Sequence, residues 1–223
     1  MYPTGFLSAA RRLMMKYRYV TIAIYLKGAM PCGTHHPALF IRRPVLAKLP
    51  IVIYPNPVLA VKCDPVTVFD DKLAQLAADM AETMYAAPGV GLAAPQVGHP
   101  IRLITIDVSE EKDQLLTLVN PVITSKSEEE VEYEEGCLSL PGIWDKVVRP
   151  SEVTVRAQDL KGNFFERHCE GLLAVCVQHE IDHLDGIVFI DHLSRLKKER
   201  DQKKLHKLKL AAKKKAEEDA ARS

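Results

Sequence analysis

The chain has 223 residues, of which 47% are hydrophobic and 26% are charged, and its net charge is +1. This composition is typical of a soluble globular protein of one or at most two domains, and the net charge excludes a polyanion-binding protein that acts through the charge of the whole molecule. The five cysteines form no CxxC pair, which is typical of reduced thiols in a cytosolic setting, and no apolar run approaches the roughly 20 residues that cross a bilayer.

Residues 1–48 contain no acidic residue, since the first is Asp64, but they hold eight arginines and lysines. We predict a basic N-terminal extension that is poorly ordered. A wrongly chosen start of translation would explain the segment equally well. An organellar transit peptide is the functional alternative, although the segment is poor in serine.

Residues 49–192 are predicted to form the folded domain. Asp70 is a suitable N-cap for a helix over 71–87, in which the apolar stripe is Leu73, Leu76, Met80 and Met84. Runs rich in β-branched residues predict strands at 101–108, 115–120, 131–140 and 151–159, and "KGN" at 161–163 is predicted to be a hairpin tip.

A second helix is predicted over residues 171–184, "GLLAVCVQHEIDHL". It is apolar on most sides up to Val177, so we expect it to be buried. The predicted fold class is therefore α+β, with mixed, mainly antiparallel β-sheets packed around this central helix.

The second helix carries an HExxH motif. His179 and His183 lie four residues apart, so both imidazoles can reach one metal ion, with Glu180 beside the first. A chance pair of surface histidines is the simpler explanation, but the apolar flanks make it less attractive. A catalytic site needs a third protein ligand and an open position for water.

The identity of the third ligand is not settled by spacing. The extended HExxHxxGxxH pattern fails here, because Phe189 stands where its last histidine would be. Glu199 would be a downstream acidic ligand, but it lies in a charged tail. Cys137, in "EEGCLSLPG", is the better candidate, although a free cysteine is more often a small buried hydrophobic residue.

A glycine-rich segment, "PGVGLAAPQVG" at 88–98, follows the first helix and contains Gln96. Glycines permit the close approach of a ligand to the backbone. Taken alone, the segment is more typical of an ordinary tight turn before a strand.

Together, "GVGLAAPQ" (89–96), "EGCLS" (135–139) and "QHEIDH" (178–183) resemble the three ordered motifs of the peptide deformylase family, GxGxAAxQ, EGCLS and HExxH. The resemblance covers roughly residues 49–192. It implies removal of the formyl group from the N-terminal formyl-methionine of nascent polypeptides, with release of formate.

The resemblance also implies roles for individual residues. Cys137, His179 and His183 would hold one metal ion, most often Fe(II), with Zn, Ni or Co as substitutes. Glu180 would move the proton, and Gln96 with the Leu138 backbone N–H would stabilise the oxyanion. The expected substrate-binding residues are the backbone of Val90, Gly91 and Gly136 and an apolar pocket walled by Leu172, Val175 and Cys176.

Residues 193–223 form a lysine-rich tail that favours a helix, with a thin apolar stripe at Leu196, Leu205 and Leu208. A solvated helix is one interpretation. The other is contact of the basic segment 195–215 with ribosomal RNA near emerging substrates. Two rival functions remain for the chain, an HExxH zinc peptidase and an RNA-binding module. We expect no membrane association and a bacterial cytoplasmic location, or an organelle if residues 1–48 are a transit peptide.

Overall fold

The structure of the protein is a computed structural model that describes residues 47–220; the predicted extension lies almost wholly outside this range. The described chain contains three α-helices: α1 (Asp71–Ala86), α2 (Gly171–Leu184) and α3 (Arg195–Ala220). Its seven strands are β1 (Gly91–Ala93), β2 (Leu103–Ile106), β3 (Leu116–Lys126), β4 (Glu130–Cys137), β5 (Leu140–Pro150), β6 (Glu152–Gln158) and β7 (Phe164–Glu170). None of the helices in this part of the chain is long and apolar enough to cross a membrane.

The strands form two antiparallel sheets. The larger has the order β1-β2-β3-β6-β7, so that β1 and β7 lie at its edges, and the smaller is the β4-β5 pair. The predicted hairpin tip at 161–163 joins β6 to β7, where Gly162 has a φ of +86°. The predicted α+β fold with mainly antiparallel sheets is confirmed.

Helix α1 forms as its sequence predicts. The Asp70 side chain accepts hydrogen bonds from the N–H groups of Lys72 and Leu73, which satisfies two donors that have no partner within the helix. Leu73, Met80 and Met84 are buried against β1 and β2. The helix thereby holds the short strand β1 in place.

Helix α2 spans the predicted residues 171–184 and packs on the large sheet. Its residues Ala174, Val177, Ile181 and Leu184 join a buried cluster with side chains of β2, β3 and β6. Burial of an apolar side chain of this size contributes roughly 1.5–3 kcal/mol. The helix is therefore a rigid support for the histidines on its remaining face.

Helix α3 is more than a solvated tail. Leu205 is 2% exposed and packs in a third cluster with Leu140, Ile143 and Val147 of β5. Leu196 is 73% exposed, however, so the predicted apolar stripe is only partly used.

Polar contacts add to this docking. Lys197 and Arg200 pair with the buried Asp145 of β5, and Gln202 Nε2 donates a hydrogen bond to the Tyr54 hydroxyl at 2.8 Å. The Tyr54 N–H in turn donates to the Ser139 carbonyl at 2.9 Å. The first half of α3 is thus part of the folded domain.

Candidate metal centre and active site

The three predicted metal ligands meet at one point. Cys137 is the last residue of β4, whereas His179 and His183 lie one turn apart on α2. Their donor atoms all lie within 4.8 Å of one another, and Cys137 Sγ is 3.2 Å from His183 Nε2. One thiolate and two imidazoles suit a divalent transition metal ion. The arrangement therefore has the donor set and the convergence that such an ion requires.

The charge state of Cys137 is the one that metal binding requires. Burial by itself would raise the pKa of its thiol, but the neighbouring His183 and His179 outweigh that effect and lower the pKa to about 5. The sulfur is therefore a thiolate at neutral pH, and the thiolate is the form of cysteine that binds metals.

Glu199, the other candidate for a third ligand, does not join the two histidines, and the last position of the extended motif holds Phe189. Phe189 stacks on the His179 ring, with ring centroids 6.1 Å apart and an interplanar angle of 24°. Glu199 lies on α3, where it pairs with Arg195 at 3.7 Å. Phe189 thus orients a histidine, and Glu199 is engaged elsewhere.

A buried ionic network supports the first histidine. Glu135 Oε2 lies 2.7 Å from His179 Nδ1, which leaves His179 Nε2 for a metal ion. Arg149 donates to both Glu135 oxygens, at 2.5 Å and 3.0 Å, and to Asp182 Oδ2 at 2.8 Å. Burial raises the pKa of Glu135, but the hydrogen bonds from His179 and Arg149 outweigh burial and the net pKa is lowered. Glu135 therefore stays ionised beside His179.

Removing Arg149 should cost more stability than most substitutions. In an Arg149→Met variant the side chain keeps much of its volume, but the Glu135 carboxylate becomes a buried charge without its bidentate partner. Breaking a buried ion pair in this way costs roughly 3–5 kcal/mol. Urea unfolding should show this loss. The exposed pair Lys146–Glu132 is the control, and a Lys146→Met variant should lose much less stability than Arg149→Met, because a solvent-exposed ion pair contributes little. Equal losses in the two variants would contradict the assignment of the network.

Glu180 lies against the edge strand β1. A Cβ atom on Gly91 would be 2.4 Å from Glu180 Oε1 and 2.7 Å from Cys176 Sγ, so only glycine permits this approach. Glu180 Oε2 is buried and has no hydrogen-bond partner among the described residues. Burial raises the Glu180 pKa, although His179 and His183 oppose it, and the resulting pKa is about 7. A carboxyl group with such a pKa is suited to proton transfer at neutral pH.

Gln96 is held so that its amide nitrogen faces the predicted metal ligands. Its Oε1 accepts a hydrogen bond from the Ala93 N–H at 2.7 Å, and this contact determines the orientation of the amide. Gln96 Nε2 therefore points toward Cys137 Sγ at 3.4 Å and Ser139 Oγ at 3.3 Å. Leu138 follows Cys137, and its side chain packs against Gly89. The site thus has one amide donor directly beside the thiolate.

A cavity of about 460 Å³ opens over these groups. All six residues predicted to bind substrate line it: Val90, Gly91, Gly136, Leu172, Val175 and Cys176. The structure therefore brings the three motifs of the sequence to a single cleft.

Among the described residues, the edge strand β1 leaves the backbone groups of Gly91 unpaired with β2 in this cleft. Gly91 stands opposite Ile106 in the β1-β2 register, and the Asp107 N–H donates to the Val90 carbonyl at 2.9 Å. In an antiparallel pair of this kind, the N–H and C=O of Gly91 point away from β2. The Val90 carbonyl is already bonded, so Gly91 is the residue that can pair with an extended ligand.

Several residues of the site were not identified from the sequence. Glu135, Arg149 and Asp182 form the network beneath His179, and Tyr133, Glu134 and Trp144 line the cavity. The sequence signal is the run "IWDKVVR" (143–149), in which Asp145 and Arg149 fall on the same strand face as the apolar Ile143 and Val147. An arginine and an aspartate on a buried strand face need oppositely charged partners, and other parts of the chain must supply them.

Comparison with known proteins identifies the family of this chain. The family model for polypeptide deformylase matches residues 48–199. The peptide deformylase of Acinetobacter baumannii is 53% identical over 163 residues, which cover 73% of this chain and 93% of the relative. The peptide deformylase 1 of Ralstonia nicotianae is 54% identical over 162 residues, covering 73% of this chain and 96% of the relative.

A solved structure agrees with the family model and with these relatives. The crystal structure of a peptide deformylase from Legionella pneumophila superimposes with a TM-score of 0.72 at 48% identity, and the match covers 74% of this chain and 98% of that one. The alternatives of a zinc peptidase and an RNA-binding module are therefore set aside. The chain belongs to the peptide deformylase family, whose metal-dependent members remove the N-formyl group from nascent polypeptides.

Proposed function

We propose that this chain deformylates formyl-methionine at a mononuclear metal site held by Cys137, His179 and His183. The observation that carries this proposal is the meeting of three donor atoms within 4.8 Å beside a glutamate whose Oε2 has no hydrogen-bond partner among the described residues. When bound there, a divalent metal ion supplies a Lewis acid that activates water at neutral pH. Proton transfer, stabilisation of the oxyanion and substrate binding are carried out by residues of the chain.

Glu180 moves the proton. Its Oε2 has no partner among the described residues, so it can accept a proton from the attacking water and pass it to the amine nitrogen of methionine as the C–N bond breaks. Formate and a free N-terminal amine are the products. The carboxyl pKa of about 7 allows Glu180 to serve as base and then as acid at the same pH.

Gln96 and Leu138 stabilise the negative charge that develops on the formyl oxygen when the formyl carbon is attacked. Gln96 Nε2 is aimed at this region because its oxygen is occupied by Ala93. The Leu138 backbone N–H, next to Cys137, is the second donor. One donor of this kind is typically worth about 3–4 kcal/mol in the transition state.

The substrate binds as an added strand. Gly91 offers its free N–H and C=O on one side of the cleft, and Gly136 lies on the other side. The methionine side chain enters the apolar pocket beside α2, where Val175 and Cys176 are buried and Leu172 is half exposed. An extended peptide in this position places its formyl group at the metal ligands.

Fe(II) is the metal that we propose for the cell. The thiolate and imidazole set suits Fe, Zn, Ni and Co alike, and the family resemblance implies iron. Formate release from formyl-Met-Ala-Ser should be fastest for protein prepared without oxygen and loaded with Fe(II), and it should decline in air. Higher activity of a zinc-loaded preparation would contradict iron, and no formate release with metal bound would contradict the proposed function.

The basic tail is proposed to dock the enzyme near ribosomal RNA. Lys203, Lys204 and Lys207 are exposed on α3, and each lysine that pairs with a phosphate should add about 0.7–0.9 to the log–log slope of affinity against salt concentration. Charge reversal of these three lysines to glutamate should abolish co-sedimentation with ribosomes at low salt and leave formate release unchanged. Reversal of the exposed Lys62, Lys72 and Lys161 changes the net charge equally and should have little effect. The same loss of co-sedimentation in both triple variants would rule out a specific role of the tail.

We place the protein in the bacterial cytoplasm. The relatives from Acinetobacter baumannii and Ralstonia nicotianae support this location, since both are bacterial enzymes. Determination of the mature N-terminus tests it, because cleavage near residue 48 would indicate import into an organelle.

A further inference from the structure

The single tryptophan of the chain lies exposed at the mouth of the active-site cleft. Trp144 of β5 is 61% exposed and lines the same cavity as Gly91 and Glu180. Its ring lies over Gly136, so that a Cβ atom on Gly136 would be 2.6 Å from two ring atoms. A large aromatic side chain that is kept in water beside a catalytic cleft has an unused apolar face.

The strand pairing shows which side of the cleft this ring occupies. Gly136 stands opposite Trp144 in the β4-β5 register, and their neighbours Glu135 and Asp145 are buried on the other face of the pair. Side chains alternate between the two faces of a strand. Glu135 reaches His179 on the α2 side, so Trp144 lies on the opposite, outer side.

This arrangement identifies the substrate residue that meets Trp144, on the basis of the proposed function. The methionine side chain points toward α2, where Val175 and Cys176 lie. In an extended peptide the next side chain points the other way. The second residue of the substrate is therefore directed to the outer face, over Gly136 and beside Trp144.

A carboxylate stands next to the ring on the same face. Glu134 precedes Gly136 by two residues, is exposed and also lines the cavity. Its cross-strand neighbour Lys146 bonds to Glu132 at 2.6 Å instead. Within residues 47–220, the side-chain carboxylate of Glu134 forms no hydrogen bond or salt bridge. An aromatic face beside an available carboxylate favours a flat cation.

We propose that Trp144 and Glu134 form a specificity site that favours arginine as the second residue of the formylated substrate. The guanidinium plane stacks on the Trp144 ring, and its outer N–H groups pair with the Glu134 carboxylate. An aspartate at this position faces the Glu134 charge and gains nothing from the ring. The site therefore ranks substrates as formyl-Met-Arg above formyl-Met-Ala above formyl-Met-Asp.

The test compares kcat/KM for formyl-Met-Arg-Ser, formyl-Met-Ala-Ser and formyl-Met-Asp-Ser. Exposed cation–π and ion-pair contacts imply a preference for arginine over alanine of about fivefold in the wild type, and a larger one over aspartate. Trp144→Leu should reduce the preference for arginine over alanine to about twofold or less. Glu134→Gln should mainly raise kcat/KM for the aspartate peptide. All variants should still hydrolyse formyl-Met-Ala-Ser.

Two matched controls stand outside the cleft. Phe164→Leu removes another exposed aromatic residue, which is 71% exposed on β7, and Glu130→Gln removes a charge from the outer face of β4. Both should keep the wild-type ranking. The specificity site is overturned if the wild type does not prefer arginine over alanine, or if Trp144→Leu preserves the full preference for arginine over alanine. If the wild type releases no formate from formyl-Met-Ala-Ser, the proposed function itself is wrong.

Fluorescence gives a readout that does not depend on turnover. Because Trp144 is the only tryptophan, emission excited beyond the absorption of tyrosine reports on this ring alone. In a metal-loaded Glu180→Gln variant, formyl-Met-Arg-Ser should shift the emission to shorter wavelength as the guanidinium covers the ring. An unchanged spectrum at saturation would overturn the stacking contact.

Discussion

Replacing Cys137 by alanine should abolish metal binding and formate release together. The thiolate is one of the three proposed donors, and the two histidines that remain do not complete a catalytic set. Loss of a residue that merely supports a ligand costs roughly 10–100-fold in metal affinity, so loss of the ligand itself should cost more. Metal content after dialysis, measured with formate release on the same sample, checks this result.

Cys169 provides the matched control. It is 1% exposed, lies in the core cluster beside α2 and bonds weakly to the Arg167 carbonyl at 3.7 Å. A Cys169→Ala variant should therefore lose some stability and keep its metal. Retention of both metal and activity by Cys137→Ala would show that another residue completes the site, and the search for a different third ligand would reopen.

The elements that the sequence predicts well are those whose apolar pattern is local. Helix α1 has an N-cap at Asp70 and a stripe that ends at Met84, and α2 begins at Gly171, whose φ of +56° favours glycine. In both cases the information lies within the element. The structure reproduces both helices to within a residue of the predicted bounds.

Strand β5 was missed because its buried face is partly charged. Ile143 and Val147 point inward, as in an ordinary strand, but Asp145 and Arg149 point the same way. Arg149 is paired with Glu135 and Asp182, and Asp145 with residues of α3. A charged inward position becomes intelligible only when its distant partner is known, and spacing along the chain does not show that partner.

The tail and the third ligand illustrate the same limit. Leu205 resembles Leu196 in its sequence context, yet it packs under β5 whereas Leu196 stays exposed. Cys137 was favoured over Glu199 by its position at a turn and then by the family resemblance, and spacing alone left the choice open. The convergence of Sγ with two imidazoles is a property of the pairing between the β4-β5 sheet and α2.

Replacing Glu180 by glutamine should separate catalysis from metal binding. Glutamine has nearly the same shape but accepts no proton at neutral pH, so formate release should fall by roughly 10²–10⁴-fold. The donor set of Cys137, His179 and His183 is untouched, and the metal content should equal that of the wild type. Metal loss parallel to the activity loss would contradict the proton-transfer role.

The same substitution should change how the stability of the metal-free protein depends on pH. The Glu180 pKa is raised from 4.5 to about 7 on folding, chiefly by burial, so the folded protein binds this proton more tightly than the unfolded chain does. That contribution to stability is complete below pH 4.5 and is lost as the pH rises through 7, a decline of roughly 3 kcal/mol. Glutamine does not titrate, so the Glu180→Gln variant should lack this part of the decline in urea unfolding between pH 5 and 8. A parallel decline in the two proteins would mean that Glu180 is not the buried acid, because no other group is changed by the substitution.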